Sequence, residues 1–188
     1  TGGSQQRAAG ELEAKLKQHF GHSAFRCDEQ RAAVACVLEE KRDCVLLMPT
    51  GMGKSLCFQL PAMILNERSG SLTVVVSPLL ALMSEQVQTL RSKGKNACMI
   101  NSLLTGHQRK DVFARLTAMP GPSSNTRMVQ KGIQLLYATP ESLTGNDEVV
   151  TLLQKLHRHG RLGAYRPASA PLWPNTRAET VLQTAILG

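Results

Sequence analysis

A chain of 188 residues, 42% of them hydrophobic, can bury one sizeable core but is too short for two full domains. Its formal charge of +8 and pI near 9.6 favour a polyanionic partner such as nucleic acid over an acidic-protein or neutral-substrate role, with solvated surface lysines as the plain alternative. Five cysteines, Cys27, Cys36, Cys44, Cys57 and Cys98, never form a Cys-x-x-Cys pair, and no apolar stretch reaches the roughly 18 residues of a membrane span, so a soluble intracellular protein with reduced core thiols is expected.

Residues 1–10 are small and polar and are expected to form a loose lead-in. The first residue is Thr1 rather than Met, which suggests a fragment or an incomplete gene model. Leu12, Leu16 and Phe20 recur every four residues and mark a helix over Glu11–Phe20. Asp28 is a plausible cap for a second helix running to Glu40, with Ala33, Val34, Val37 and Leu38 on its buried side. Cys44-Val-Leu-Leu-Met48 is wholly apolar, as expected for a parallel strand buried on both faces. A helix starting near Gly53 should be bent or ended by Pro61.

Strands are then expected at Leu72–Ser77, Ala97–Asn101 and Gly132–Thr139, and helices at Leu79–Lys93, Thr105–Met119 and Glu148–His157. Between Pro120 and Gln130 the chain is turn-rich and polar and reads as an exposed loop. Strands alternating with helices predict an α/β fold, a parallel β-sheet flanked by helices on both faces. No internal repeat is visible.

Thr50-Gly-Met-Gly-Lys-Ser55 follows the first apolar strand and opens a helix. Small residues there let backbone amides turn toward phosphate oxygens, where the helix dipole favours negative charge. Lys54 would reach the terminal phosphates of a nucleotide, and the Ser55 hydroxyl would serve Mg²⁺, a hard cation that takes oxygen ligands. The general form Gly-x-x-x-x-Gly-Lys-Ser/Thr puts glycine where Met48 stands, so only its second half is matched. An incidental glycine-rich turn is the competing reading, and the strand-loop-helix context argues against it.

Phe20-Gly-His-Ser-Ala-Phe-Arg-Cys-Asp-Glu-Gln30, one helix upstream, resembles the adenine-reading segment of the RecQ family of ATP-dependent DNA helicases. Met48 to Pro61, Val74-Val-Val-Ser-Pro-Leu-Leu-Ala-Leu-Met83 with Glu85-Gln-Val87, Asn101-Ser102, and Leu135-Leu-Tyr-Ala-Thr-Pro-Glu141 resemble further blocks of that family, in order. The resemblance runs from about Phe20 to about Gly163. It implies a RecA-like P-loop lobe binding ATP and Mg²⁺. Gln30 would pair with the adenine edge, His22 and Arg26 would sandwich the base, and Thr50, Gly51, Met52, Gly53, Lys54 and Ser55 would hold the phosphates. DEAD-box RNA helicases share the architecture but carry Pro-Thr-Arg-Glu-Leu and Thr-Pro-Gly-Arg where this chain has Ser77-Pro-Leu-Leu-Ala and Thr139-Pro-Glu, so DNA is the better expectation.

In the family the segments starting at Ser77 and Thr139 hold single-stranded nucleic acid, which implies Ser77, Pro78, Thr139, Pro140 and Glu141 as contacts for single-stranded or forked DNA. Capping of the following helices is the alternative for both hydroxyls, and the two roles are compatible. Arg91, Lys93, Lys95, Arg109 and Lys110 form basic clusters that read either as strand contacts or as a solvated face.

A RecQ motor also carries Asp-Glu-x-His at a strand end after the Thr-Pro-Glu block, and this chain has none. Asp147-Glu148 lacks a preceding apolar strand and is rejected as that metal-binding pair. Residues 11–160 are therefore assigned to a partial ATP-binding lobe and 161–188 to a divergent, disordered tail without strand pattern, with a short helix conceivable over Val181–Leu187. A frame change, retained intron or truncated gene model is the expectation for that tail. The resemblance implies an intracellular, nuclear ATP-dependent helicase, unwinding 3′-to-5′ when complete and inactive as this piece alone. A non-catalytic DNA- or partner-binding module and an unstable fragment are the rival readings.

Overall fold

A computed structural model describes residues 2–40, 44–49, 51–118, 132–144, 147–164 and 182–183. The first helix, α1 (Gly2–Phe20), starts well before the predicted boundary. Gln5-Gln-Arg-Ala-Ala9 are good helix formers, so residues expected as a loose lead-in continue the helix backward. The second, α2 (Asp28–Ala35), is preceded by Cys27 rather than Asp28 as its cap, with no side-chain cap bond. Asp28 and Glu29 instead place their charges in its first turn, facing the positive end of the dipole. The chain passes into a π-helical turn at Cys36–Glu40, which splits the single helix expected to Glu40.

Strand β1 (Cys44–Val45) leads through the glycine-rich loop into α3 (Leu56–Ser69). Pro61 neither ends α3 nor lies at its edge. Residues 57, 58 and 60–64 are all buried, so packing on both sides holds the helix across the missing amide bond. At the far end Gly70, at φ 67°, donates its N–H to Asn66 O at 2.7 Å, a left-handed cap suited to glycine.

The remaining elements are β2 (Leu72–Val76), α4 (Leu80–Ser92), β3 (Ala97–Ile100), α5 (Gly106–Thr117), β4 (Leu135–Ala138), α6 (Pro140–Thr144), α7 (Asp147–Arg158), β5 (Leu162–Ala164) and β6 (Leu182–Gln183). A four-stranded sheet has the order β3-β4-β2-β5, and all its pairs are parallel. Side chains alternate faces with a period of two. Leu72, Val74, Cys98, Ile100, Leu136 and Ala138 pack under α5 and α7, through Val112, Leu116, Leu152 and Leu156. Val75, Ala97, Leu135 and Tyr137 face the other way, onto Phe58 and Met63 of α3 and Met83, Val87 and Leu90 of α4. The α/β layering predicted from the alternation is thus what the core is built on. A third cluster joins Leu12 and Leu16 of α1, Val34 of α2, Leu38, and Leu60 and Ile64 of α3.

Two expectations fail at the margins. The apolar run at Cys44–Met48 is not a buried central strand: β1 covers two residues and among the described residues pairs with β6 alone, with Val45 80% and Leu47 76% exposed. Nor does the tail start without strand structure, since Leu162–Ala164 extends the sheet beside β2 and Leu182–Gln183 is a strand rather than part of a helix. The exposed loop expected at 120–130, Thr50 of the glycine-rich loop, and most of the tail lie outside the described residues.

Candidate nucleotide site and strand-end surface

The glycine-rich loop turns through Gly51 at φ 83° and Gly53 at φ 80°, both in the left-handed region where a side chain is strained. Gly53 is constrained twice, because a Cβ there would stand 2.7 Å from Gln30 Nε2. Met52 N–H donates to Pro49 O at 3.4 Å, and the α3 turn is set by Leu56 N–H to Gly53 O at 3.0 Å and Cys57 N–H to Lys54 O at 3.1 Å. Among the described residues, the N–H groups of Gly53, Lys54 and Ser55 have no hydrogen-bond acceptor. Three consecutive open donors at a helix start form an anion-binding concavity. Lys54 folds back and donates from Nζ to Met48 O at 2.9 Å, so its ammonium stands over the same loop.

Gln30 and Arg26 meet this loop, as their placement one helix upstream requires. Gln30 is 1% exposed; its Oε1 accepts from Arg26 N at 2.9 Å and its Nε2 donates to Gly53 O at 3.0 Å. Both ends of the amide are engaged within the chain, and the amide fixes where Gly53 sits. The Arg26 guanidinium donates to Gly51 O at 2.6 Å and remains exposed. His22 is exposed in the turn after α1 and forms no hydrogen bond among the described residues.

Because the strands are parallel, their carboxyl ends share one side of the sheet, the usual place for ligands in such folds. Val76, Ala138 and Ile100 are aligned across β2, β4 and β3, so Ser77, Thr139 and Asn101 follow at one level. All three are buried and engaged in turns. Ser77 Oγ accepts from Leu79 N at 3.3 Å, Asn101 Oδ1 from Leu103 N at 2.9 Å, and Thr139 Oγ1 from Ser142 N at 3.3 Å. Thr139 thus caps α6, as the capping reading has it, whereas the Ser77 hydroxyl closes a turn ahead of α4, whose own N-cap is Leu79 without a side-chain bond. Pro78 and Glu141 are exposed and Pro140 is half-buried on the same rim, with Leu79 and Leu103, 52% and 74% exposed, beside them.

The basic clusters separate. Arg91, Lys93 and Lys95 precede β3 and lie at the amino end of the sheet, opposite this rim. Arg91 Nε donates to Ala97 O at 2.8 Å, Lys93 Nζ sits 5.7 Å from the Phe20 ring centroid, and Lys95 Nζ lies 3.1 Å from His19 Nδ1. Arg109 and Lys110, in the first turns of α5, are on the rim side. The sequence reading assigned no role to Gln86, which reaches Ser55 from α4; its one signal was the place of Glu85-Gln-Val87 in a resembling block. Asp147 and Glu148 are exposed in the first turn of α7. Among the described residues no three His, Cys, Asp or Glu side chains cluster to hold a metal, and no helix is long and apolar enough to cross a membrane.

Residues 27–158 match the family described as DEAD/DEAH box helicase. Curated relatives include the ATP-dependent DNA helicase RecQ of Synechocystis, 40% identical over 132 residues (70% of this chain and 24% of the relative). The human ATP-dependent DNA helicase Q4 is 40% identical over 68% of this chain and 9% of its own length. RecQ of Bacillus subtilis is 34% identical over 74% of this chain and 20% of its own. The chain thus spans a quarter or less of these relatives, and the family match over 27–158 holds both the glycine-rich loop and the β2 and β4 strand ends. By its fold and these matches, the chain belongs to the DEAD/DEAH box helicases, and it is similar to a part of the RecQ-type relatives.

Proposed function

We propose that the chain is the ATP- and DNA-binding first lobe of an intracellular, nuclear RecQ-like helicase that unwinds DNA 3′-to-5′. One observation carries the nucleotide assignment: the open amides of Gly53, Lys54 and Ser55 lie at the start of α3, with Gln30 and Arg26 bonded to the same loop. Triphosphate oxygens would take those amides and Lys54. Adenine would lie against Gln30, Arg26 and His22, which requires the Gln30 amide to exchange one internal bond for the base edge. Mg²⁺ would be held by phosphate oxygens and the Ser55 hydroxyl, an oxygen set that suits a hard cation. That these relatives are DNA helicases supports DNA over RNA.

Single-stranded or forked DNA would follow the rim of Ser77, Pro78, Thr139, Pro140 and Glu141, with Arg109 and Lys110 nearby. Since the two hydroxyls already cap turns, backbone and rim side chains would carry the contact, and affinity would fall steeply with salt. Hydrolysis needs groups that meet transition-state charge, and the sequence has no Asp-Glu-x-His block. The chain by itself is therefore proposed to bind adenine nucleotide weakly, to hydrolyse it negligibly and not to unwind DNA.

Titrating ADP and ATP into the purified chain, with and without Mg²⁺, while following its thermal midpoint tests the site. The midpoint should rise for wild type and not for Lys54→Ala. An unchanged wild-type midpoint at millimolar nucleotide removes the ATP assignment and leaves the non-catalytic module. A DNA-stimulated ATPase rate abolished by Lys54→Ala would show that the isolated chain is an engine after all.

A further inference from the structure

Ser55 is joined by a chain of hydrogen bonds to the two elements that carry the strand-end segments. Gln86 of α4 donates from Nε2 to Ser55 Oγ at 3.2 Å. Its Oε1 accepts from the Tyr137 hydroxyl of β4 at 2.8 Å, and the Tyr137 oxygen accepts from Gln59 Nε2 of α3 at 3.3 Å. Tyr137 is 1% exposed and meets Phe58 edge-on at 6.4 Å between centroids, so its ring is fixed by packing. Burial pushes the phenol pKa far up, which keeps the hydroxyl a donor throughout the physiological range. Each amide end of Gln86 has one partner, which fixes its rotamer, and Gln86 in turn restrains Ser55.

A serine hydroxyl has one hydrogen and two lone pairs. With Gln86 taking one pair, the Oγ position is set while the second pair stays available to a cation. An amide is suited to that place, because it donates to the oxygen without adding a charge beside the metal. Outer residues of this kind commonly orient metal ligands and contribute strongly to metal affinity.

We propose that Gln86, held by Tyr137, is a positioning residue that presents the Ser55 hydroxyl to the Mg²⁺ entering with the nucleotide. The inference rests on the ATP-site reading above. It goes beyond that reading by giving α4 and β4, which lead from and to the DNA rim, a direct mechanical link to the metal ligand.

The test uses the full chain and ADP, titrated with and without Mg²⁺ by thermal midpoint, in wild type, Gln86→Ala and Tyr137→Phe. Tyr137→Phe keeps the ring and its packing on Phe58 and removes only the hydroxyl. Mg²⁺ should tighten ADP binding to wild type. Both variants should lose roughly tenfold of that gain while their Mg²⁺-free affinity is unchanged. Variants that retain the full Mg²⁺ gain, or that weaken binding equally in both conditions, would show the network to be packing alone and overturn the proposal. Wild-type ADP binding without any Mg²⁺ gain overturns it too and leaves the ATP site standing. No ADP binding in either condition overturns both.

Discussion

Strands β4 and β1 are made of similar residues and meet opposite fates. Leu135-Leu-Tyr-Ala138 lies between β3 and β2, with helices over both faces, and all four residues are buried. Cys44-Val-Leu-Leu-Met48 has one partner of two residues, and its Val45 and Leu47 face solvent. An apolar run permits a buried strand; ladder neighbours of sufficient length decide whether one forms. The sheet on the β2 side is continued by β5, itself only three residues long, so the glycine-rich loop is held less by its own strand than by α3 below it and Gln30 beside it.

The largest effect expected from this contrast is on stability. Leu136→Ala removes a side chain with no exposed surface from the β4 layer and should cost about 2–5 kcal/mol. Val45→Ala should change stability by no more than about 0.5 kcal/mol. Denaturant melts of the two variants measure both, and a comparable loss at Val45 would mean that β1 is packed into the sheet in solution.

The same contrast explains what could be read in advance. The β2, β3 and β4 strands and helices α4, α5 and α7 were legible to within a residue or three, because alternation and helical period both report a face that is really buried. The start of α5 is fixed by a reciprocal capping box between Thr105 and Gln108, which the sequence reading did not name. What failed depended on partners distant in sequence. Nothing in Cys44–Met48 says whether a neighbour exists, nothing in Leu162–Ala164 looks like a strand until β2 lies beside it, and Pro61 is overruled by packing on two sides. In the site, the structure brings together Lys54 and Ser55, which the motif named, and Gln30 and Arg26, which the resemblance named. Neither said that the Gln30 amide would be engaged at both ends, or that Gln86 would reach Ser55 from α4, since those bonds depend on side-chain reach across elements.

Gln30 sharpens the comparison at the loop itself. If the loop is held from the side rather than by β1, Gln30→Ala should disturb it more than any change in the strand. The substitution leaves Arg26 N–H without its acceptor, takes one of two donors from Gly53 O, where Leu56 N–H remains, and opens space beside Gly53, so a loss of about 1–3 kcal/mol is expected, the range for a polar group left unpaired. Hydrogen exchange should rise at Leu56 and Cys57, whose N–H groups donate to Gly53 O and Lys54 O, in that variant and stay unchanged in Val45→Ala. Equal exchange in the two would return the holding role to β1.

The smallest expected effect reads the packed side alone, through His19. This imidazole is buried between α1, α3 and the turn before β3, with Lys95 Nζ 3.1 Å from Nδ1 and Glu67 Oε1 3.1 Å from Nε2. An ammonium can only donate, so Nδ1 accepts and the ring proton belongs on Nε2, facing Glu67. Burial lowers the His19 pKa below the ordinary 6.5; Glu67 opposes the shift and Lys95 reinforces it. Below about pH 6.5 the unfolded chain takes up this proton while the folded chain does not, so stability should fall with pH until the folded value is passed. At Glu67 burial acts upward, but Lys15, 2.6 Å away, and His19 outweigh it and leave the carboxyl below its ordinary 4.5, which adds a second loss further into acid. Thermal midpoints between pH 7.5 and pH 5 should therefore decline. His19→Gln, whose amide can accept from Lys95 and donate to Glu67 without titrating, should flatten the upper part of that decline. Among the described residues the partners of His19 and Glu67 lie on α1, α3 and the turn before β3, so an unchanged slope in His19→Gln would move the acid sensitivity out of the packed side of the molecule.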